Sequence, residues 1–292
     1  MTIAPLGLLL DIDGPIASPV TRSIVQPSIP GDLVKLVAAG VPIAFITGRS
    51  DTFVREQVVV PLMAAGLADA LAAGGRMFVV CEKGAVWFTM GPQGAGPVEV
   101  DNTVALPQYF ADEIRRVVDE RFAETMFFDN TKRAMVSVEQ RHEVDAAVFQ
   151  QQQPLYNEAA FDALVEHGLG ARYGDREVPN AAGDVPYRID PTIISSDVES
   201  VTLDKDRGAE RALSYFVEHG EVPHVWRSVG DSRSDYKMAD YLHAAGYDVA
   251  HVDVRPADGL LERPYQVIVE GDLIHDEAGA AFLSYWVQKL GL

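Results

Sequence analysis

The sequence predicts an α/β protein: a Rossmann-like core built on a parallel sheet, interrupted by an inserted α+β domain. Two observations carry this. Short apolar runs alternate with helical patterns over the first hundred residues and again in the last third of the chain, the β-α rhythm of a parallel sheet with covering helices. Between these stretches the texture changes to helices joined to a hairpin.

The elements follow in order. Gly7 to Leu10 is apolar, uncharged and soon ended by Gly14-Pro15, as expected of a short buried strand. Pro30 to Ala39 has helical spacing closed by Gly40, and Val41 to Ile46 is a second strand running into Thr47-Gly48-Arg49. A helix over Thr52 to Gly66 follows, then strands Met77 to Cys81 and Ala85 to Thr89 around Glu82-Lys83-Gly84. The run Gly91 to Pro97 breaks regular structure and is expected to be a boundary or hinge. It lacks the following helix and Gly-Lys-Ser/Thr ending of a phosphate loop. The insertion is expected to hold a helix (Gln108 to Phe122), a hairpin (Met126 to Phe128 with Ala134 to Val138), a helix starting after Pro154 (Leu155 to Glu166) and a strand (Tyr187 to Ile194). The core then resumes with a helix (Ala209 to Glu218), a strand (His224 to Val229), a helix (Tyr236 to Ala245), strands Asp248 to Val254 and Gln266 to Val269, and a closing helix (Glu277 to Lys289). The expected division is a core of residues 1–95 and 200–292 and an insertion of residues 96–199.

Composition bounds the function. A chain of 292 residues, 48% hydrophobic and 23% charged, fits a soluble globular protein of more than one domain. A formal charge of -19, with 24 Lys and Arg, argues against nucleic-acid binding. It still allows a phosphorylated small molecule, because a bound cation and a few basic groups reverse the field within one cleft. Cys81 is the only cysteine, so no internal disulfide forms, and in its apolar run it is core filler. With no membrane-length apolar stretch and no basic leader, the expectation is a cytoplasmic protein with no membrane association.

The chemistry starts at Asp11-Ile12-Asp13-Gly14. Strand alternation places Asp11 and Asp13 on the same side just past a strand's carboxyl end, where open parallel sheets bind ligands. A turn whose aspartates merely solvate a strand end would explain this pair alone equally well. Thr47 and Gly48 end the next strand, and a hydroxyl beside flexible backbone amides suits an anionic oxygen. Lys205 stands just ahead of a helix, and Asp231 and Asp235 lie four apart after a later apolar strand. Alone, these are a surface lysine, an N-cap and a first-turn acid. Together, carboxylates at 11, 13, 231 and 235 repel one another unless a cation lies among them, and hard oxygen ligands suit Mg²⁺. Lys205 and Thr47 would neutralise the remaining phosphoryl charge, so phosphoryl transfer is the chemistry best served.

The motifs LLLDIDGPI, FITGRS, the lysine of LDKDRGA, and VGDSRSD, in that order, resemble the haloacid-dehalogenase superfamily of phosphohydrolases. The insertion lies between the second and third motifs, as in the branch with a large α+β cap, and Cys81 to Val86 is similar to a strand-turn-strand of that branch. The resemblance implies that Asp11 is the nucleophile, forming an aspartyl phosphate, and that Asp13 is the acid and base. It implies Mg²⁺ held by Asp11, the backbone carbonyl of Asp13 and Asp231, with Asp235 near it, and a phosphoryl group bound by Thr47, Gly48 and Lys205. Arg49, next to Thr47, is a further candidate for the phosphate. Pro15, where most relatives have threonine, removes an amide donor. Ser234 replaces a frequent asparagine, and Arg207, close behind Lys205, is a conceivable substitute cation.

The cap is expected to close over the site and choose the substrate, with Lys132, Arg133 and Arg188 as possible contacts. The expected partner is a small phosphorylated metabolite, with sugar phosphates favoured. The alternatives are a phosphohexomutase of the same branch and a non-catalytic phosphate-binding module. Retention of Asp13 argues against the latter, which has no use for a proton shuttle.

Overall fold

A computed structural model of the chain describes residues 4–292. These divide into two compact units, 4–99 with 204–292 and 100–203. The joins fall a few residues later than the expected 95/96 and 199/200, because the last strand of the insertion runs to Ser200 and pairs inside it.

The core begins with β1 (Gly7–Leu10), α1 (Ser28–Ala38) and β2 (Ile43–Ile46). A helical run follows, from α2 (Asp51–Val54) through a π turn (Arg55–Val59) into α3 (Val60–Ala64). Ser50 caps it by accepting from the Phe53 amide, and Pro61, which has no amide to donate, sits just after the π turn. A short helix α4 (Leu67–Ala72), absent from the sequence expectation, precedes β3 (Met77–Cys81) and β4 (Val86–Gly91). The Gly91 to Pro97 run is not simply a break: β5 (Gly94–Ala95) folds back antiparallel on β4, with Gly94 at φ +103°. β6 (Glu99–Val100) lies at the join.

The insertion holds α5 (Gln108–Arg121), β7 (Met126–Phe128), β8 (Val136–Gln140), α6 (Ala146–Glu166), β9 (Ala171–Tyr173), β10 (Arg176–Val178), β11 (Tyr187–Pro191) and β12 (Ser195–Ser200). Its sheet order is β10-β9-β11-β12-β8-β7. Two expectations are corrected here. The stretch 187–194 is not one strand, because the chain turns back after Pro191 and pairs as β11 with β12. The helix does not start after Pro154 but at Ala146, where Asp145 caps it, and it runs through the proline. An interior proline costs about 3 kcal/mol. The continuous buried face of Phe149, Tyr156, Ala160, Phe161 and Leu164 offsets that cost. Val136, Val138, Ile189 and Val198 bring the sheet's apolar face to these helices, while the register places Ser137, Glu139, Asp197 and Glu199 on the other face.

The core closes with α7 (Lys205–Glu218), β13 (Val225–Gly230), α8 (Tyr236–Ala244), β14 (Asp248–Asp253), β15 (Gln266–Ile268) and α9 (His275–Leu290). Its strand order is β15-β14-β13-β1-β2-β3-β4-β5, parallel from β15 to β3. Leu9, Ala44, Ile46, Phe78 and Trp226 pack against α7 and α8, and the alternate Leu8, Leu10, Ile43 and Phe45 are equally buried, so both faces are covered. The chain leaves β1 toward β2 and β3 on one side and returns to β13 on the other, which makes the carboxyl ends of β1 and β13 a topological switch point. No described helix is long and apolar enough to cross a membrane.

Two glycines set the approach of elements to this point. A Cβ on Gly208 would lie 2.4 Å from Ile46 Cγ2, so only glycine lets α7 approach β2 this closely. A Cβ on Gly279 would lie 1.8 Å from the Pro15 carbonyl oxygen, so α9 rests directly on the loop after β1. Gly279→Ala should therefore cost about 1–3 kcal/mol, read as a lower urea midpoint at unchanged m-value. An unchanged midpoint would show that this contact does not brace the loop.

Candidate active site

The β1–β13 register brings Leu10 level with Val229, and the Asp11 amide donates to the Val229 carbonyl at 2.9 Å. The first aspartate therefore emerges beside Gly230-Asp231. Gly14 makes this possible: its φ is +94°, and a Cβ there would come within 2.7 Å of Asp231 Cβ. Asp235 then folds back on its own turn. Its Oδ2 accepts from the amides of Asp231 (3.1 Å) and Ser232 (2.9 Å) and from the Ser232 hydroxyl (2.7 Å). Gly230 is required beneath it, since a Cβ would sit 2.2 Å from Asp235 Cβ. Ser234, in place of asparagine, has its hydroxyl 2.9 Å from that of Ser232.

Lys205, the first residue of α7, threads into the middle of this group. Its Nζ lies 2.6 Å from Asp11 Oδ1 and 2.8 Å from Asp235 Oδ1, and donates to the Ile46 carbonyl at 2.7 Å. All three charged side chains are buried. Arg207 instead lays its methylenes over Gly84, within 3.0–3.2 Å of where a Cβ would stand. Thr47 is fully buried at the end of β2, and its hydroxyl accepts from the Arg49 amide at 3.1 Å. Its carbonyl accepts from the Lys83 amide at 3.0 Å, which fastens the turn after β3 to it. That turn is tightly wound, with Glu82, Lys83 and Gly84 all at positive φ.

Arg49, expected on the phosphate, is placed differently. Its guanidinium forks onto Asp13, Nε to Oδ2 at 2.9 Å and Nη2 to Oδ1 at 3.0 Å, and it stacks over the Phe53 ring at 4.7 Å. Two further groups come from segments that sequence reasoning did not single out. Arg255 Nη1 lies 3.7 Å, and His275 Nδ1 3.9 Å, from Asp231 Oδ2. His275 takes a left-handed φ of +50° at the start of α9, anchored by its amide on the Val254 carbonyl at 2.7 Å. The segment before it lacks apolar periodicity, and the one available signal was a lone basic residue soon after a strand end.

The electrostatics are those of an acidic cluster short of positive charge. Burial raises Asp11 well above the usual carboxylate range; Lys205 opposes this and the other three aspartates add to it. Asp231 is pushed up to about 7 by burial and then by Asp235. Asp235 is lowered, because Lys205 and the Ser232 hydroxyl outweigh its burial. Burial alone would lower Lys205, but Asp11 and Asp235 raise it, so it stays protonated.

Among the described residues, Asp11, Asp231 and Asp235 each offer an oxygen, all within 4.8 Å of one another. Three carboxylate oxygens at that spacing, two of them on residues with raised pKa, fit a hard divalent cation such as Mg²⁺.

No protein-family model and no curated protein sequence matches the chain. Solved structures do. The C-terminal domain of trehalose-6-phosphate phosphatase from C. albicans aligns with a TM-score of 0.64 at 11% identity, over 98% of this chain and 93% of that one. A trehalose-6-phosphate phosphatase related protein aligns at 0.56 and 11% identity, over 98% of each chain. A haloacid dehalogenase-like hydrolase from Bacteroides thetaiotaomicron aligns at 0.56 and 10% identity, over 96% and 98%. The chain thus has the fold of the haloacid-dehalogenase-like hydrolases, a Rossmann-like α/β core with an α+β insertion.

Asp231 gives a pH dependence of defined sign. Between its usual 3.8 and about 7 the folded site holds a proton that the unfolded chain has lost, so this group's contribution to stability falls as pH rises through that window. In chelator, the wild type should lose more Tm than Asp231→Asn on going from pH 5 to pH 7.5, and Mg²⁺ should restore it mainly at pH 7.5. Parallel losses in both proteins would contradict the assignment.

Proposed function

We propose that the protein is a Mg²⁺-dependent phosphatase acting on a small phosphorylated metabolite, a sugar phosphate by preference, through an aspartyl phosphate on Asp11. The observation that carries this reading is Lys205 bridging Asp11 and Asp235 at the switch point, where Asp231 also opens. Lys205 opposes the burial that raises Asp11, and a bound cation would add to that, so the carboxylate would stand charged for attack on an electrophile.

Asp11 attacks phosphorus in line, the bond to the leaving oxygen breaks, and that oxygen takes a proton from Asp13. Asp13 then removes a proton from water as the water attacks phosphorus, which releases phosphate and restores Asp11. Arg49 holds the Asp13 carboxyl in a fixed plane through two hydrogen bonds. Lys205 and Thr47 receive the phosphoryl oxygens. Asp11, Asp231 and Asp235 would hold Mg²⁺, which when bound would supply Lewis-acid charge for the transferring group.

One observation favours a sugar phosphate: solved structures with this fold include a trehalose-6-phosphate phosphatase and a protein related to that phosphatase.

Phosphate release from a panel of sugar phosphates and other phosphorylated metabolites tests the reading. Turnover should require Mg²⁺ and fall at least about a thousandfold in Asp11→Asn, with the fold intact by circular dichroism. Failure of the wild type to hydrolyse any member would overturn it.

A further inference from the structure

Arg255 has no role in the chemistry above, yet its placement is tightly determined. β14 runs level with β13 up to Asp253 opposite Gly230, and the Val254 amide donates to the Gly230 carbonyl at 3.0 Å. The strand end is therefore fastened beside Asp231. Asp253 braces it further, one oxygen accepting from the Arg255 amide at 2.8 Å and the other from the Tyr236 hydroxyl at 2.6 Å. The Arg255 guanidinium is tethered through Nη2 to Asp258, and this leaves Nη1 3.7 Å from Asp231 Oδ2. Its buried Nε has no hydrogen-bond partner, so nothing draws the group away from Asp231 by that route.

An arginine cannot discard its proton to accommodate a neighbouring cation. Lys205 answers Asp11 and Asp235, and Arg49 answers Asp13; the remaining carboxylate is answered by Arg255. From this geometry we infer that Arg255 is a built-in counter-ion of Asp231 that weakens the divalent-cation affinity of the site, so that a metal shares Asp231 with a fixed positive charge. The inference rests on the metal reading of the proposed function. It concerns affinity alone, and Arg255 acts through Asp231 without touching the substrate.

Calorimetric titration of the metal-free full chain with Mg²⁺, and separately with Mn²⁺, tests this at fixed ionic strength. Arg255→Met should bind each cation about tenfold more tightly than the wild type, the scale of a unit charge about 6 Å from a divalent ion when water screens the pair. Arg255→Lys, which keeps the charge, should stay within about twofold. Arg255→Gln removes the charge but can still hydrogen-bond Asp258, so it serves if the methionine variant fails to fold, and it should also tighten binding. Equal or weaker affinity in the neutral variants would overturn the inference, by making Arg255 a structural support for Asp231. A wild type that binds neither cation would overturn the metal reading itself, and that result is distinguishable because it appears before any variant is compared.

Discussion

Lys205 is buried with its ammonium between Asp11 and Asp235, and the rest of the site is arranged around that contact. Two carboxylates and an ammonium cannot leave water together unless the geometry returns what desolvation costs, and breaking such a pair strands an uncompensated buried charge. Several features of the sequence serve it. Gly208 lets α7 approach β2 closely enough for the lysine to reach, Gly230 makes room for Asp235 to fold back, and Gly14 lets the loop after β1 lie against Asp231. The parallel register of β1 and β13 places the acids on neighbouring strand ends.

Seen this way, the cluster is nearly balanced by the chain itself. Lys205, Arg49 and Arg255 stand against Asp11, Asp13, Asp231 and Asp235, which leaves one carboxylate in excess. Burial raises the pKa values of Asp11 and Asp231, and that excess adds to the rise. On their own these acids would repel one another unless a metal lay among them. The structure supplies three basic side chains, so a divalent cation completes a partial balance and does not create one.

Much of this was legible in the sequence for one reason. Asp11, Thr47 and Asp231 each follow a short apolar run, and a strand end in a parallel sheet leaves little freedom in where the next residue goes. Lys205 was legible just ahead of a helix expected from Ala209, but the helix begins at Lys205 itself, where Asp204 caps it. The partners of long side chains were not. Arg49 could reach either a phosphate or Asp13, and nothing in Thr-Gly-Arg decides between them. Arg255 and His275 belong to a stretch between β14 and α9 with little regular structure, so their approach to Asp231 arises only from tertiary packing. In the insertion, Pro154 misled because a buried face can carry a helix through a proline, and the three-residue strands of the β9–β10 hairpin give almost no alternation to detect.

The central claim is that Asp11 carries the phosphoryl group, and this can be observed directly. Enzyme quenched in acid during turnover, reduced with borohydride and digested would convert an aspartyl phosphate at position 11 to homoserine, visible by mass spectrometry in the peptide that contains Asp13. Homoserine at position 11, dependent on substrate and Mg²⁺, is the expected result. Substrate turnover with an unmodified Asp11, or with reduction at another carboxylate, would contradict the account.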